Sequence, residues 1–366
     1  MSPTVISLFT GAGGLDLGFE EAGYQVRTCV EIEAVACETL RKNRPRWRVI
    51  ERDIRLVSTE EMLETGGLKV GETTVVTGGP PCQPFSTLGK QRALDDPRGA
   101  LLREFVRVVD EARPLTFLFE NVTGLKSVQK GKVLKDLLEA FEDIGYTTHP
   151  TILTAADFGV PQLRKRIFVL GSREKKVLDF PRAGHSKIRS SLKKWVTVKD
   201  AFGRMHNEGW DLNRPDNKKM NHSVEMIQRM SLIKSGQNFW SLPLDKRPDC
   251  WKNGKHQGKD TFGRIDPNKP APTIRTCAYN PTKGRYIHPY ENRGLSTLEM
   301  AVLQTFPKDY RFSGNLCQVG RQIGDAVPPL LARRIAECLF VQLGNCAAQS
   351  TLSSILRQYE ISNNSL

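Results

Sequence analysis

"TVISLFTGAGGLDLGFEEAG", residues 4–23, contains the pattern that decides the fold of this chain. Five of its first six residues are apolar or β-branched, the six have the length of a buried strand, and "LDLGFEEAG" has the amphipathic pattern of a helix. The glycine-rich turn "TGAGG" joins the two. A second strand and helix follow directly, at residues 25–32 and 33–43. Two successive strand–helix units predict an α/β protein with a doubly wound, Rossmann-like sheet.

The remainder of the first 180 residues continues this alternation. Strands are predicted at residues 48–54, 73–78, 115–122 and 166–172, and amphipathic helices at 101–112 and 133–145. Alternation of this kind favours a parallel sheet covered by helices on both faces. In such sheets ligands bind at the carboxyl ends of the strands.

The turn after the first strand has the features of a nucleoside site. Its glycines, which allow a close approach between backbone and ligand, are Gly11, Gly13 and Gly14. Glu31 follows Gly11 by 20 residues, where a carboxylate can accept hydrogen bonds from ribose hydroxyls, and Asp53 and Ile54 are placed to contact an adenine. Asp16 occupies the last glycine position of the dinucleotide pattern, so a pyrophosphate is not implied. A tight turn with a surface glutamate is the alternative for this motif in isolation.

Composition excludes several classes of protein. With 366 residues, of which 39% are hydrophobic, the chain is long enough for one large domain and a smaller one. Its apolar stretches are far shorter than the roughly 20 residues that span a bilayer, and no secretory signal is recognisable, which predicts a cytoplasmic protein without a membrane contact. The eight cysteines form no CxxC pair or Cys/His cluster, so neither a metal site nor a disulfide framework is expected.

Positive charge is concentrated in one segment, residues 181–290. This segment has 22 Lys and Arg against 9 Asp and Glu, which accounts for 13 of the 14 net positive charges of the chain. Four of the five tryptophans and five of the six histidines lie there as well. A solvated basic surface is the simpler explanation for charge alone. Its confinement to one aromatic-containing segment favours a nucleic-acid partner.

A cysteine stands in a stiff loop after the fourth predicted strand. In "GGPPCQPFS", residues 78–86, prolines flank Cys82 and restrict the backbone, so the thiol is presented at the ligand-binding edge of the sheet. The next strand ends with Glu120, and "QLRKR" carries Arg164 and Arg166 on one face of an extended segment. A cysteine in such a loop is, by itself, more often structural. Its combination with a carboxylate and two arginines predicts one reactive pocket.

In their order and spacing, these motifs resemble the DNA (cytosine-5)-methyltransferases. The resemblance runs from about residue 4 to residue 340 and rests on "FTGAGGLDLGFEEAG", "VEIEAVA", "GGPPCQPFS", "ENV", "QLRKR" and "QIGDAVPP". It implies a catalytic domain that binds S-adenosylmethionine, formed by residues 1–180 and 291–345, a smaller mixed target-recognition domain at 181–290, and a tail at 346–366. The compact chain resembles restriction-modification enzymes of bacteria or phages. A monomer is expected, and whether a cognate restriction endonuclease exists is left open.

The resemblance also implies which residues bind cofactor and duplex DNA. Expected cofactor-binding residues are Phe9, Thr10, Gly11, Ala12, Gly13, Gly14, Glu31, Ile32, Asp53, Ile54, Pro80, Leu101, Asp325 and Ala326. Expected DNA-binding residues are Gln83, Ser86, Lys90, Arg92, Arg98 and Arg166. Most of them lie in a loop of about residues 85–99 that the family uses as a mobile element. Base-reading residues are expected around 245–261.

The chemistry of cytosine explains why these residue types are required. C5 is too weak a nucleophile to take a methyl group, so the ring must first be activated by covalent addition. The resemblance assigns this addition, at C6, to the thiol of Cys82, and the donation of a proton or hydrogen bond at N3 to Glu120. Arg164 and Arg166 would contact the flipped-out base and the nearby backbone, and Arg166 would lower the pKa of the thiol. The sequence does not identify the base that removes the C5 proton.

The chain departs from the family pattern at three places, one of which is Arg52, which precedes Asp53 where glycine is common. Asp325 stands where asparagine is usual, and an anion there is expected beside the methionine carboxylate of the cofactor. Leu298 and Val302 replace two arginines, and residues 322–339 are expected to form a returning helix. Two alternatives therefore stay open: a catalytically weak DNA-binding relative, and a tRNA cytosine-5 methyltransferase on the same scaffold. The basic segment favours DNA.

Overall fold

A seven-stranded mixed sheet forms the centre of the protein. The computed structural model of the chain describes residues 2–81, 99–252 and 260–344. The strands of the sheet are β1 (Thr4–Leu8), β2 (Gln25–Glu31), β3 (Arg48–Glu51), β4 (Val75–Gly78), β5 (Thr116–Val122), β6 (Thr147–Thr154) and β7 (Lys165–Ser172). Their order is β3-β2-β1-β4-β5-β7-β6, and β1 to β5 run parallel. β7 runs antiparallel to both β5 and β6. The Rossmann-like fold predicted from the sequence is confirmed.

Helices cover both faces of this sheet. The α-helices of the described ranges are α1 (Gly14–Glu21), α2 (Ala34–Asn43), α3 (Thr59–Gly66), α4 (Ala100–Ala112), α5 (Lys132–Asp143), α6 (Val198–Asn207), α7 (Val224–Ser231), α8 (Asp249–Lys252), α9 (Thr297–Leu303), α10 (Leu316–Asp325) and α11 (Pro329–Gln342), of which α7 and α8 pack away from the sheet. Side chains of β1 alternate between the two faces, so Val5 packs in a core with α1, α2 and α11, whereas Ile6 packs in a core with α3, α4 and α5. The result is a three-layer α/β architecture.

Two elements differ from the sequence-based expectation. The single helix expected at residues 322–339 is wrong, because α10 ends at Asp325 and α11 begins at Pro329. Consecutive prolines explain the break, since a proline cannot continue a helix and also disfavours helical backbone in the residue before it. The sequence also gave no indication of β6. This strand is the edge of the sheet and contains Pro150, which is tolerated at an edge.

The basic segment contributes to two separate cores. Residues of α6 and of the stretch 265–279 pack into the core shared with α1 and α11. A third, smaller core lies within residues 230–287; it consists of Met230, Ile233, Phe239, Leu242, Trp251, Phe262 and Ile287. A short parallel pair, β8 (His185–Ser186) and β9 (Lys193–Lys194), lies outside the main sheet. Within the described ranges, no helix has the length and apolar character needed to cross a membrane.

Candidate active site

The glycine-rich turn lies between the end of β1 and the start of α1. Gly11 adopts a left-handed backbone conformation, with φ of 55°, and, apart from its chain neighbours, no atom of the described residues lies within 4 Å of the position a Cβ would occupy. Gly14 is in the opposite situation, because a Cβ there would lie 2.3 Å from the carbonyl oxygen of Val327. The turn is therefore open toward the carboxyl edge of the sheet at Gly11 and tightly packed against the segment between α10 and α11 at Gly14.

Glu31 is a buried carboxylate at the end of β2 and is oriented by backbone donors. Its Oε2 accepts a hydrogen bond from the N–H of Gly11 at 2.6 Å, and its Oε1 accepts from Ile32 and Glu33 at 2.9 and 2.8 Å. Burial raises the pKa of Glu31, and the three N–H groups oppose that shift. An oriented carboxylate beside the open turn suits recognition of ribose hydroxyls, since its oxygens keep further acceptor capacity.

Asp53 has a partner that the sequence did not indicate. Its carboxylate pairs with the guanidinium of Arg55 and also accepts a hydrogen bond from the backbone N–H of that residue at 3.0 Å. The side chain of Arg55 lowers the pKa of Asp53. Asp53 thus caps a short 3₁₀ turn, Ile54–Leu56, and Ile54 is buried behind it. Any contact between Asp53 and an adenine would have to be shared with this ion pair.

The other predicted cofactor residues surround the same edge or support it. Phe9 has a positive φ, the hydroxyl of Thr10 contacts Ser7 and Val30, and the carbonyl of Ala12 accepts a hydrogen bond from Tyr310. The remaining members are Ile32, which is exposed, Gly13, which precedes α1, Pro80, which is buried, and Leu101 and Ala326, which are partly buried.

Glu120 and Arg166 form an ion pair across two adjacent strands. Arg166 Nε lies 3.0 Å from Glu120 Oε1, and only 15% and 10% of the two side chains are exposed. The register explains the contact, because Glu120 faces Phe168 and Arg166 is two residues away, which makes the pair a diagonal neighbour. Burial raises the pKa of Glu120, whereas Arg166 and Arg164 lower it and Asp325 raises it further. The predicted pairing of these two residues in one pocket agrees with this geometry.

Arg164 has a different environment from the one expected. It is 1% exposed, and its guanidinium donates hydrogen bonds to the carbonyl oxygens of Ile274, Gly324 and Asp325 at 3.1, 3.0 and 3.2 Å. Burial lowers its pKa to about 9, and the positive charge of Arg166 adds to this shift. Its Nε, by contrast, is buried without a hydrogen-bond partner among the described residues, and the expected contact with the target base stays a prediction. Arg164 connects the start of β7 with the end of α10.

Asp325 is the last residue of α10, and its backbone carbonyl accepts a hydrogen bond from Arg164 at 3.2 Å. The groups that act on its charge are Arg164, Arg321 and Arg166; they lower its pKa, while burial, the largest effect, raises it. The sequence analysis placed this residue only beside the methionine carboxylate of a cofactor. Its expected role beside the cofactor stays a prediction.

Two amides that were not selected from the sequence hold this pocket together. Asn121 donates from Nδ2 to the carbonyl of Pro80 at 2.9 Å and thereby ties the loop before Cys82 to the end of β5. Gln162 donates to Gln304 Oε1 at 2.8 Å and accepts from the N–H of Ile274. Asn121 lies in the motif "ENV" and Gln162 in the motif "QLRKR", so the motifs themselves could have indicated both residues. Cys82, Gln83, Ser86, Lys90, Arg92 and Arg98 lie outside the described residues.

The sheet order, the open turn after β1 and the oriented carboxylate after β2 define a Rossmann-like class of α/β enzyme. Within that class, the chain belongs to the C-5 cytosine-specific DNA methylases, whose family model matches residues 3–340. It is thus a DNA cytosine-5 methyltransferase, as the sequence predicted.

Named relatives agree with this assignment. The chain is 38% identical over 343 residues to type II methyltransferase M1.HphI of Haemophilus parahaemolyticus, covering 93% of this chain and 87% of that protein. It is 34% identical to type II methyltransferase M.Eco47II of Escherichia coli, with 89% and 76% covered. A solved structure assigned as a prophage-encoded DNA modification methyltransferase of E. coli has a TM-score of 0.70 at 26% identity, covering 94% of this chain and all of that one. Dnmt2 of Schizosaccharomyces pombe, 15% identical with a TM-score of 0.66 and 93% and 99% covered, shares the fold.

Proposed function

We propose that the protein methylates C5 of a flipped-out cytosine within a short duplex DNA sequence, with S-adenosylmethionine as methyl donor and Cys82 as covalent nucleophile. The observation that carries the proposal is the position of the Glu120–Arg166 pair. Asn121, the residue after Glu120, binds the carbonyl of Pro80, two residues before Cys82. This contact supports the proposal that the thiol of Cys82 serves the same pocket as the carboxyl group that the reaction needs at N3.

The open turn and its surroundings fit S-adenosylmethionine. A sulfonium cofactor has a ribose but no phosphate, and the turn offers space at Gly11, a buried ribose-type acceptor at Glu31 and no cationic phosphate clamp among the predicted cofactor residues. When bound, the cofactor supplies an electrophilic methyl group. Residues 9–14, Glu31, Asp53 and Ala326 would hold it.

The other steps of the proposed reaction are assigned to residues of the chain. Cys82 adds to C6 of the cytosine, and negative charge moves toward N3, where Glu120 donates its proton. Arg166, paired with Glu120, orients that carboxyl group and supports the charge when the proton leaves. After methyl transfer, loss of the C5 proton and elimination of Cys82 return the enzyme to its starting state.

We further propose that residues 181–290 recognise the DNA and that residues 1–180 and 291–345 form the catalytic domain. The excess of 13 positive charges in this segment, together with its own small core, supports the assignment. The names of the type II relatives support a role in restriction-modification. A monomer suffices for this reaction, because every residue assigned to it lies in one chain.

The experiment is methylation mapping of a mixed-sequence duplex library with purified protein and S-adenosylmethionine, with tRNA as a parallel substrate. We expect 5-methylcytosine at one short recurring sequence. Cys82→Ser should abolish it, and Glu120→Gln should lower the rate by about 10²- to 10⁴-fold. Cys338→Ser, at a thiol on α11 outside the site, is the matched control and should retain the wild-type rate.

A second readout tests the covalent step directly. In a duplex with 5-fluorocytosine at the target, fluorine cannot leave C5 as a cation, so the adduct with Cys82 should persist in denaturing electrophoresis and mass spectrometry. Methylation by the Cys82→Ser protein, or an adduct on another residue, would refute the mechanism. Methylation of tRNA without methylation of duplex DNA would refute the substrate.

A further inference from the structure

A cavity of about 380 Å³ lies between α6, the stretch 212–219 that follows it, the loop 288–293 and the start of α9. This volume falls in the range of ligand-binding pockets, about 300–1,000 Å³. None of the residues that the proposed reaction uses lines the cavity. Its walls therefore have to be understood without reference to the methylation site.

One wall of the cavity is apolar and partly aromatic. Phe202 and Met205 of α6 and Leu298 of α9 are each less than 5% exposed. Leu298 stands where the family pattern has an arginine, so a short apolar side chain lines the cavity there. The ring of Phe202 stacks on that of His288, with centroids 5.6 Å apart and an angle of 11° between the planes. A flat apolar wall of this kind suits an aromatic ring.

The floor of the cavity is a closed network of hydrogen bonds. His288, Glu291 and Glu299 lie close enough together to hold a metal ion. However, Nδ1 of His288 accepts hydrogen bonds from the N–H groups of Tyr290 and Glu291 at 3.2 and 3.0 Å. Arg293 donates to both carboxylate oxygens of Glu299, at 2.8 and 2.6 Å, and to both of Glu291. Because these lone pairs already have donors, the floor favours an organic ligand over a metal ion.

One polar atom of the lining has no such partner. Nδ2 of Asn217 donates to the carbonyl of Leu212 at 2.7 Å, but its Oδ1 is buried without a donor among the described residues. A buried acceptor that has lost its water and gained no partner is costly. A ligand that brings an N–H group to this point would remove the cost.

The rim of the cavity carries positive charge that the protein does not neutralise. Lys199 and Lys219 are exposed, and neither forms an ion pair within the described ranges. The two carboxylates of the lining do not balance them, because both are held by Arg293. The rim therefore favours an anionic group on the ligand.

We propose that this cavity binds a small aromatic anion that carries an N–H donor, which is the chemistry of a nucleoside monophosphate. Its ring packs against Phe202 and Leu298, and its N–H group donates to Oδ1 of Asn217. Its phosphate lies between Lys199 and Lys219. The inference goes beyond the proposed function and does not depend on it, since neither DNA nor methyl transfer is involved.

The test is a titration with 2′-deoxyguanosine 5′-monophosphate, followed by NMR of the protein labelled with ¹³C at its methionine methyl groups. Saturating S-adenosylhomocysteine keeps the purine away from the cofactor turn. The Met205 signal, assigned by its loss in Met205→Leu, should shift and saturate. Deoxyguanosine, which lacks the phosphate, should bind about tenfold more weakly, and inorganic phosphate alone should not shift this signal.

A blocking variant can be made without disturbing the core. Gly203 lies on α6 and lines the cavity, and apart from its own helix and chain neighbours no atom of the described residues lies within 4 Å of the position of its Cβ. Gly203→Leu fills the cavity and also favours the helix, so the shift at Met205 should be lost. Lys199→Gln should weaken binding about threefold. Arg204→Gln removes a charge from the same helix outside the lining and is the matched control, with unchanged affinity.

Three outcomes would overturn the proposal. They are the absence of a saturable shift in the wild type, undiminished binding by Gly203→Leu, and an equal shift with inorganic phosphate alone, which would indicate a simple anion site. DNA methylation by the same preparation reports on the proposed function separately. If methylation fails while the nucleotide still binds at Met205, the proposed function is refuted and this site stands.

Discussion

The replacement of Asp16 by asparagine should change how the stability of the protein depends on pH. Asp16 lies in the first turn of α1 and is 0% exposed, and neither of its carboxyl oxygens has a hydrogen-bond partner of normal geometry. Burial raises the pKa of Asp16 to about 7, and the nearby hydroxyl of Ser7 offsets only part of that shift. In the unfolded chain the same carboxyl has a pKa of about 3.9.

The sign and size of the effect follow from these two pKa values. Between about pH 4 and pH 7 the folded protein binds one proton more at Asp16 than the unfolded chain does, so the free energy of unfolding falls as the pH rises. Each pH unit costs about 1.4 kcal/mol, which amounts to about 4 kcal/mol over the whole window. Above pH 7 both states are ionised and the penalty is constant. An asparagine does not titrate, so the Asp16→Asn variant avoids this penalty.

The assay is urea unfolding of wild type and Asp16→Asn at half-unit steps from pH 4.5 to pH 8.5. The difference in free energy of unfolding should be small at pH 4.5, should grow in favour of the variant up to about pH 7 and should then stay level. Comparing the two proteins at each pH cancels the titration of every other group. Glu139→Gln serves as the exposed control, with no such growth expected. A pH-independent difference between wild type and Asp16→Asn would refute the reasoning.

Three further predictions concern other buried groups. Arg164→Met should destabilise the protein by about 3 kcal/mol in urea unfolding, because three carbonyls would lose their donor; a loss below 0.5 kcal/mol would contradict this role. Gly14→Ala should lower the free energy of unfolding by about 1–3 kcal/mol and weaken binding of S-adenosylmethionine in calorimetry, because its Cβ would meet the carbonyl of Val327. Unchanged affinity and stability would contradict this and show that the segment between α10 and α11 moves to make room for the Cβ. Burial lowers the pKa of His288 to about 4. The free energy of unfolding of the wild type, measured in urea, should therefore rise by about 3 kcal/mol between pH 4 and pH 6.5 relative to that of His288→Asn. Parallel curves for the two proteins would contradict this.

Local patterns predicted those parts of the fold that depend on local sequence. The apolar run 4–9, the glycine turn and the following amphipathic segment identified β1 and α1, and the same reasoning located the other parallel strands. Edge strand β6 has half-buried polar residues and a proline, so neither its composition nor its periodicity distinguishes it from a loop. Pro328 and Pro329 indicate a break in the helix, whereas the resemblance to the family implied one returning helix.

The sequence predicted the site residues that lie at the ends of neighbouring strands. It did not predict contacts between residues that are far apart along the chain. Glu120 and Arg166 meet because β5 and β7 are adjacent and in register. Arg164 was expected to resemble Arg166, since both have the alternation of one strand face. Its actual partners lie 110 to 161 residues further along the chain, and no linear pattern shows that their carbonyls lack other donors.

Three buried carboxyl groups near the carboxyl edge show how the donors around a residue, rather than its type, determine its role. Glu31 receives three backbone N–H groups, which fix its orientation and leave it suited to accept from a ligand. Glu120 has the guanidinium of Arg166 beside it, while burial raises its pKa, a balance in which a proton can be held and then released. Asp16 has no guanidinium beside it, and the hydroxyl of Ser7 offsets only part of the effect of burial on its pKa, so ionising Asp16 lowers the stability of the fold.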